Sequence, residues 1–300
     1  MNRRDFIKSA VIAGAALSVP PVIEPIITRV FGAAQPDLVI ARGSPPAKIT
    51  RAAIDGLGGI KRFIGRGDVV VVKPNIGWDR KPEYAANTNP EVVAAVIRLC
   101  FEAGAGKVKL FDNTVNDARR TYKQSGIADA AKSAGALVSF IDDRKFKDMR
   151  INGLVLKSWP LYTDVFEADK VINIPIAKTH GIAGLTLGMK NWMGIMGGWR
   201  GRIHQRIDES LVDLAMTVKP VLTILDAVRI LTDNGPSGGD LKDVKILNTV
   251  VAGVDPVAVD AFGTTLFGMK PADLGSVRIG HQIRLGSMDL GKLSIQRIRV

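Results

Sequence analysis

Short apolar, β-branched runs alternate along the chain with longer stretches in which apolar side chains recur every three or four positions. Asp37 to Ala41 reads as a first strand, and Lys48 to Phe63 as a helix weakened by Gly56, Gly58 and Gly59. Val69 to Val72 is a continuous apolar run, the pattern of a strand buried on both faces, and it ends in Lys73-Pro74-Asn75. Thr88-Asn89-Pro90-Glu91 then opens a helix, with Asn89 as N-cap, Pro90 at the first helical position and Glu91 at the positive end of the dipole; Gly104 ends it. Lys107 to Phe111 is the next strand, followed by Asp112 and Asn113. Ala128 to Ser133 and Ala136 to Ile141 continue the alternation, and Arg144 to Asn152 reads as a charged connection.

In the second half, Val171 to Ile174 meets Pro175 as a buried strand. Ile203, Ile207, Leu211 and Leu214 mark a helix over Arg202 to Met216. Val221 to Leu225 is a strand ending in Asp226, and Thr249 to Ala252 is one ending at Val254-Asp255-Pro256, after which Val257 to Phe267 is a helix. Leu293 to Val300 alternates as an edge strand does. Strand followed by helix, repeated, predicts an α/β fold: a mostly parallel sheet with helices on both faces, in a single domain over residues 35–300.

Composition adds two constraints. With 300 residues the chain buries a full core, and its formal net charge of +12 favours anionic ligands. Lys and Arg are scattered, aromatic residues make up 6%, and no basic helix or ribonucleoprotein-like motif is present, so a nucleic-acid partner is not expected. Cys100 is the single cysteine, which leaves neither an internal disulfide nor a cysteine-ligated iron-sulfur cluster. Its helical apolar surroundings, Glu91 to Glu102, mark it as a buried structural thiol.

The first 34 residues read differently. Asn2-Arg3-Arg4-Asp5-Phe6-Ile7-Lys8 followed by the apolar run Ser9 to Ile23 resembles a twin-arginine export signal, and Gly32-Ala33-Ala34 offers small residues for cleavage before Gln35. The expectation is an exported, periplasmic or otherwise extracytoplasmic protein that engages the twin-arginine translocase and meets a membrane only through an uncleaved signal segment.

Chemistry concentrates where strands end. Lys73 and Asn75, Asp112 and Asn113, Lys178 and His180, Asp226, and Asp255 all follow strands, and in a parallel sheet they would share one rim, where open α/β sheets bind ligands. Polar residues also end strands as solvated turns or caps, and an N-cap role accounts for Asp255 by itself. The densest segment is Val171 to Gly194, in which Lys178 and His180 follow the strand and Lys190 and Asn191 lie one short segment later. His180 reads as a general acid/base beside Lys178, or alternatively as a metal ligand opposed by Asp112 and Asp226; no HExxH, HxH or cysteine cluster supports the metal. Lys73, Lys178 and Lys190 would bind a phosphate or carboxylate, helped by free amides if Gly181 and Gly184 begin a helix. Gly194 to Gly201, with Trp199 and Arg200, has the composition of a lid or of an ordinary surface loop, and neither it nor Gly104-Ala-Gly-Lys107 is a Walker A loop. His204 and His281 read as structural.

Five ordered motifs carry a family resemblance: VVVVKPNIGW from Val69, TNPEVVAAVI from Thr88, the segment through KTHGIAGLTLGMKNWMG, LDAVRILTDNGPSGG from Leu225, and GVDPVAVDAFG from Gly253. Over roughly Asp37 to Leu285 the chain resembles the bacterial and archaeal family of domain of unknown function 362. The resemblance implies the same fold and points to the same residues. Many relatives look like they carry an attached ferredoxin-type segment with cysteine quartets; this chain, with one cysteine, departs from that pattern, so an iron-sulfur role does not transfer to it.

The expectation is an exported α/β enzyme that uses or acts on a small anionic ligand, Lys73, Asn75, Lys190, Asn191 and Arg200 binding it and His180 and Lys178 acting on it. The alternative is a non-catalytic periplasmic binding or cofactor-maturation protein using the same cleft. An electrostatic adaptor would need a clustered basic face, which the sequence does not show.

Overall fold

Five residues of the first strand display how the sheet is buried. In β1 (Leu38–Arg42), Leu38 and Ile40 enter one hydrophobic core while Val39 and Ala41 enter another, because successive side chains leave a strand on opposite faces. The computed structural model describes residues 35–300, and the twin-arginine-type segment lies outside the described residues. In chain order follow α1 (Pro46–Gly56), β2 (Val69–Pro74), α2 (Pro90–Glu102), β3 (Lys107–Leu110), α3 (Ala118–Gln124), α4 (Ile127–Ser133) and β4 (Leu137–Val138). Then come β5 (Phe146–Arg150), β6 (Ser158–Tyr162), α5 (Asp164–Glu167), β7 (Lys170–Ile174), β8 (Ile176–His180) and β9 (Gly184–Thr186). The chain closes with α6 (Ile207–Val218), β10 (Leu222–Leu231), β11 (Val244–Gly253), α7 (Pro256–Thr265), α8 (Gly275–Gln282) and β12 (Ile295–Arg299).

The main sheet runs β12-β1-β11-β10-β7-β2-β3-β4, with β8 attached to β10 and β9 to β8. Every neighbouring pair along that path is parallel except those made by β11, which is antiparallel to both β1 and β10. One face is covered by α1, α2 and α4 through Ile49, Ile54, Val93, Ile97 and Ile127; the other by α6, α7 and α8 through Leu211, Leu214, Val257 and Val277. The mixed α/β sheet with helices on both faces is thus as the alternation predicts. A two-stranded antiparallel sheet, β5 with β6, lies over Phe111 through Leu161 and Tyr162, so the charged stretch from Arg144 is a strand rather than a loop.

Local signals explain the boundaries. Asn89 accepts the amide of Glu91 and Pro90 starts α2, which stops before Gly104 at φ +97°. Cys100 is fully buried in this helix, and burial pushes its thiol up to about 12. The helix expected over Lys48 to Phe63 ends at Gly56, since Gly58 and Gly59 take positive φ values, and a 3-10 turn covers Ile60–Arg62.

The reversed direction of β11 has one consequence for the strand-end residues. Asp255, which follows it, sits at the opposite edge of the sheet from Lys73 and Asp112. There its carboxylate caps α7 by accepting the amides of Val257 and Ala258, and it also accepts that of Ser287. Among the described residues no helix is long and apolar enough to cross a membrane.

Candidate active site

The C-terminal edge of β2, β3 and β7 opens into a cavity of about 370 Å³. Asn75, Asp112, Lys178, His180, Lys190, Asn191 and Arg200 all line it, with Thr186 and His204. Seven of the sequence-predicted residues therefore meet at one place.

Lys178 and His180 arrive there as alternate residues of a hairpin, not as a helix entrance. β8 turns at Gly181–Ala183 into β9, Gly184 holds φ +68°, and Lys178 pairs with Thr186, so the expected helical amides at Gly181 and Gly184 are absent. The next helical segment is the 3-10 turn Lys190–Ile195, which sets Lys190 and Asn191 against the floor.

The floor is a buried polar network. Lys73, with no exposed surface, places Nζ 2.8 Å from Asp112 Oδ1, and burial lowers its pKa against the opposing pull of that carboxylate. Asp112 Oδ2 accepts the amide of Ile76 at 2.5 Å, while the Asp112 backbone amide donates to the Tyr122 hydroxyl. Gly194 covers this pair, since a Cβ there would fall on Asp112 Oδ1 and Lys73 Nζ. Asn191 then spans the floor: Nδ2 donates to the Lys73 carbonyl and to Asn173 Oδ1, and Oδ1 accepts from Asn75 Nδ2 at 3.1 Å. Asn75 Oδ1 in turn accepts from Lys178 Nζ at 3.1 Å, and the Ala86 carbonyl accepts from the same nitrogen at 2.5 Å.

Lys178 is as buried as Lys73 but meets carbonyl oxygens instead of a carboxylate. Burial first, then the charge of Lys190, bring its pKa down to about 7. Lys190, whose Nζ lies 3.1 Å from Met193 Sδ and in no ion pair among the described residues, is lowered to about 8 by burial and Arg200. Arg200 is tethered: its guanidinium donates to the carbonyls of Asn113, Thr114 and Met193, which pins the Gly194 to Gly201 loop to the end of β3.

The two histidines differ in what they offer. His180 Nδ1 accepts the amides of Ile182 and Ala183, both at 3.2 Å, so the neutral ring carries its proton on Nε2. Burial, followed by the charge of Lys190, pulls its pKa down to about 3, so at neutral pH it is an N–H donor. His204 stacks on it at 5.8 Å between centroids, with Nδ1 2.9 Å from the Gly201 carbonyl; it must donate there, which leaves Nε2 as an acceptor in the neutral ring. His204, read as structural from sequence, is thus part of the site.

Asp226 is not. β10 continues through it, and its oxygens accept the amides of Asn89 at 2.7 Å and Val228 at 3.0 Å, with burial raising its pKa to about 6. Asp112 and Asp226 therefore do not fit a shared metal: Asp226 does not line the cavity and spends both oxygens on backbone amides, while Asp112 Oδ1, which has no hydrogen-bond partner among the described residues, is in ion-pair contact with Lys73. Among the described residues no three His, Cys, Asp or Glu side chains cluster as metal ligands.

Thr186, Asn173, Trp78 and His204 join the site without having been singled out by sequence. The buried hydroxyl of Thr186 has no hydrogen-bond partner among the described residues.

A Thermotoga maritima protein of known crystal structure superposes with a TM-score of 0.45 and 11% identity, over 80% of this chain and 60% of that one. The lactate racemase apoprotein from Thermoanaerobacterium thermosaccharolyticum gives 0.44 and 11%, over 76% and 56%, so the chain spans little more than half the length of either. In sequence, a thylakoid-associated protein of Synechocystis sp. is 33% identical over 247 residues, 79% of this chain and 74% of that protein. The domain of unknown function (DUF362) matches residues 70–265, which include every residue described in the site, and the chain belongs to that family.

Proposed function

We propose that the protein is an exported α/β enzyme acting on a small anionic ligand held in the cavity between β2, β3 and the β8–β9 hairpin. One observation carries this reading: Lys178, Lys190 and Arg200 line the cavity, while its single lining carboxylate, Asp112, is already engaged by Lys73. A ligand bearing a carboxylate or phosphate supplies the charge that the walls lack. In this reading Lys190 and Arg200 hold the anion, the Nε2–H of His180 donates to it, and the lone pair of His204 takes up a proton. Lys73, Asn75, Asn191 and Asp112 fix the floor.

Calorimetric titration of the folded protein with sulfate, phosphate and oxalate, against glycerol as a neutral control, tests the reading. Lys190→Ala is expected to weaken binding about 30-fold, or ~2 kcal/mol, the scale for losing one partner of a buried charge contact. Binding of none of the three anions would remove the proposal, and binding without any turnover across substrate panels would make the protein a periplasmic binding protein instead. Export is tested apart from the site: replacing Arg3 and Arg4 with Lys should leave the chain on the cytoplasmic side if the twin-arginine route carries it.

A further inference from the structure

We propose that Lys178 is a nucleophilic amine that condenses with the carbonyl group of a small anionic oxo compound, either a 2-oxo carboxylate or a phosphorylated ketone. The proposal rests on the anion-site reading above and names the substrate class of that site.

Three lysines lie at this edge of the sheet, and their surroundings separate them. Lys73 is paired with Asp112 beneath Gly194 and does not line the cavity, so its nitrogen is engaged away from any ligand. Lys190 lines the cavity without a carboxylate and serves as the fixed charge. Lys178 lines it too, and the partners of its nitrogen are two acceptors, Ala86 O and Asn75 Oδ1. Two acceptors satisfy both N–H bonds of an uncharged amine and leave its lone pair unused. Desolvation beside a second cation is the arrangement that frees such a lone pair near neutral pH, consistent with the lowered pKa of about 7.

A second observation lies across the hairpin. Thr186 is the ladder partner of Lys178, directly opposite residues project on the same face, and its buried hydroxyl is unpartnered among the described residues. It stands where an oxygen on the carbon attacked by Lys178 would find a hydrogen bond. His180, two residues along the same strand, adds an N–H donor to the same cavity.

The step balances without an oxidant or reductant. The lysine lone pair forms a C–N bond while the carbonyl π pair moves to oxygen. The two amine protons then leave with that oxygen as water, and the C=N bond forms. A proton from solvent converts the imine to an iminium, which withdraws electrons from the neighbouring carbon.

The test is reductive trapping of the full chain with sodium cyanoborohydride and, separately, pyruvate, 2-oxoglutarate and dihydroxyacetone phosphate, followed by peptide mass mapping. The expected result with at least one of the three is an adduct at Lys178, formed about tenfold or more in preference to any other lysine. Its yield should climb as pH passes about 7 and fall with excess sulfate. Lys178→Arg should lose the adduct while keeping the cooperative thermal unfolding of the wild-type chain. Labelling with no preference for Lys178 from all three compounds, with sulfate still bound, overturns the imine and leaves the anion site standing. The same labelling with sulfate binding also absent overturns both.

Discussion

Lys73 and Lys178 are the two most deeply buried lysines near the sheet edge, 0% and 1% exposed, and they differ in one partner. Each donates to a backbone carbonyl and to a carboxamide oxygen, but only Lys73 also faces a carboxylate, at 2.8 Å. A buried ion pair neutralises itself and becomes architecture. A buried amine that meets only neutral acceptors keeps paying the cost of desolvation, and persists where the site uses it.

Breaking the pair on the Lys73 side should have the largest effect. Asp112→Ala strands a buried cation and is expected to cost about 3–5 kcal/mol of stability in urea titrations. Lys178→Met removes a buried amine that has no counterion and leaves two acceptors unpaired, which should cost less than about 2 kcal/mol. Equal losses in the two variants would erase the distinction.

Proton linkage sharpens the same contrast. In the unfolded chain Lys178 regains its ordinary value of 10.5, against about 7 when folded. Between those values the unfolded state binds a proton that the folded state does not, so stability rises with pH across this window. Lys190, lowered to about 8, contributes with the same sign. Asp226 and Asp260, raised to about 6 and about 7 by burial, act oppositely below that window: folded, they retain protons that the unfolded chain releases from about 4 upward. The stability difference between wild type and Lys178→Met should therefore grow as pH rises above 7, and a flat difference would mean that Lys178 is charged like a surface lysine. The smallest effect is expected at the far edge. Asp255→Ala should cost about 1–2 kcal/mol through loss of its cap while leaving sulfate binding unchanged.

Much of this arrangement was legible in the residues. Val69–Val72 and Val171–Ile174 are strands because continuous β-branched runs suit a sheet covered on both faces, and the Asn89-Pro90-Glu91 start of α2 is local chemistry. The direction of β11 was also readable, though by a negative signal: Thr232 to Asp243 is too polar and glycine-rich for a crossover helix, so β10 and β11 form an antiparallel pair. With β11 reversed, Asp255 falls on the edge opposite Lys73 and Asp112. Asp226 misled for a different reason, since a carboxylate inside a strand resembles one at its end until its amide partners, Asn89 and Val228, are known. His204 and Thr186 offered no sequence signal. Each enters the site through tertiary contact, His204 by stacking on His180 and Thr186 by register opposite Lys178.

The floor asparagines carry one more consequence. Asn75, Asn191 and Asn173 are joined head to tail, each oxygen turned toward the Lys178 end and each amide nitrogen away from it, with the last donating to the Gly188 carbonyl. The chain of carboxamides turns its negative end, Asn75 Oδ1, to the Lys178 nitrogen, a side-chain counterpart to the C-terminal end of a helix. Such a row partly offsets the cost of a cation formed on that nitrogen, the iminium proposed above included, without placing a full negative charge in the cavity. A positive centre and an anionic substrate can then occupy the same small space, because the stabilisation of one does not repel the other.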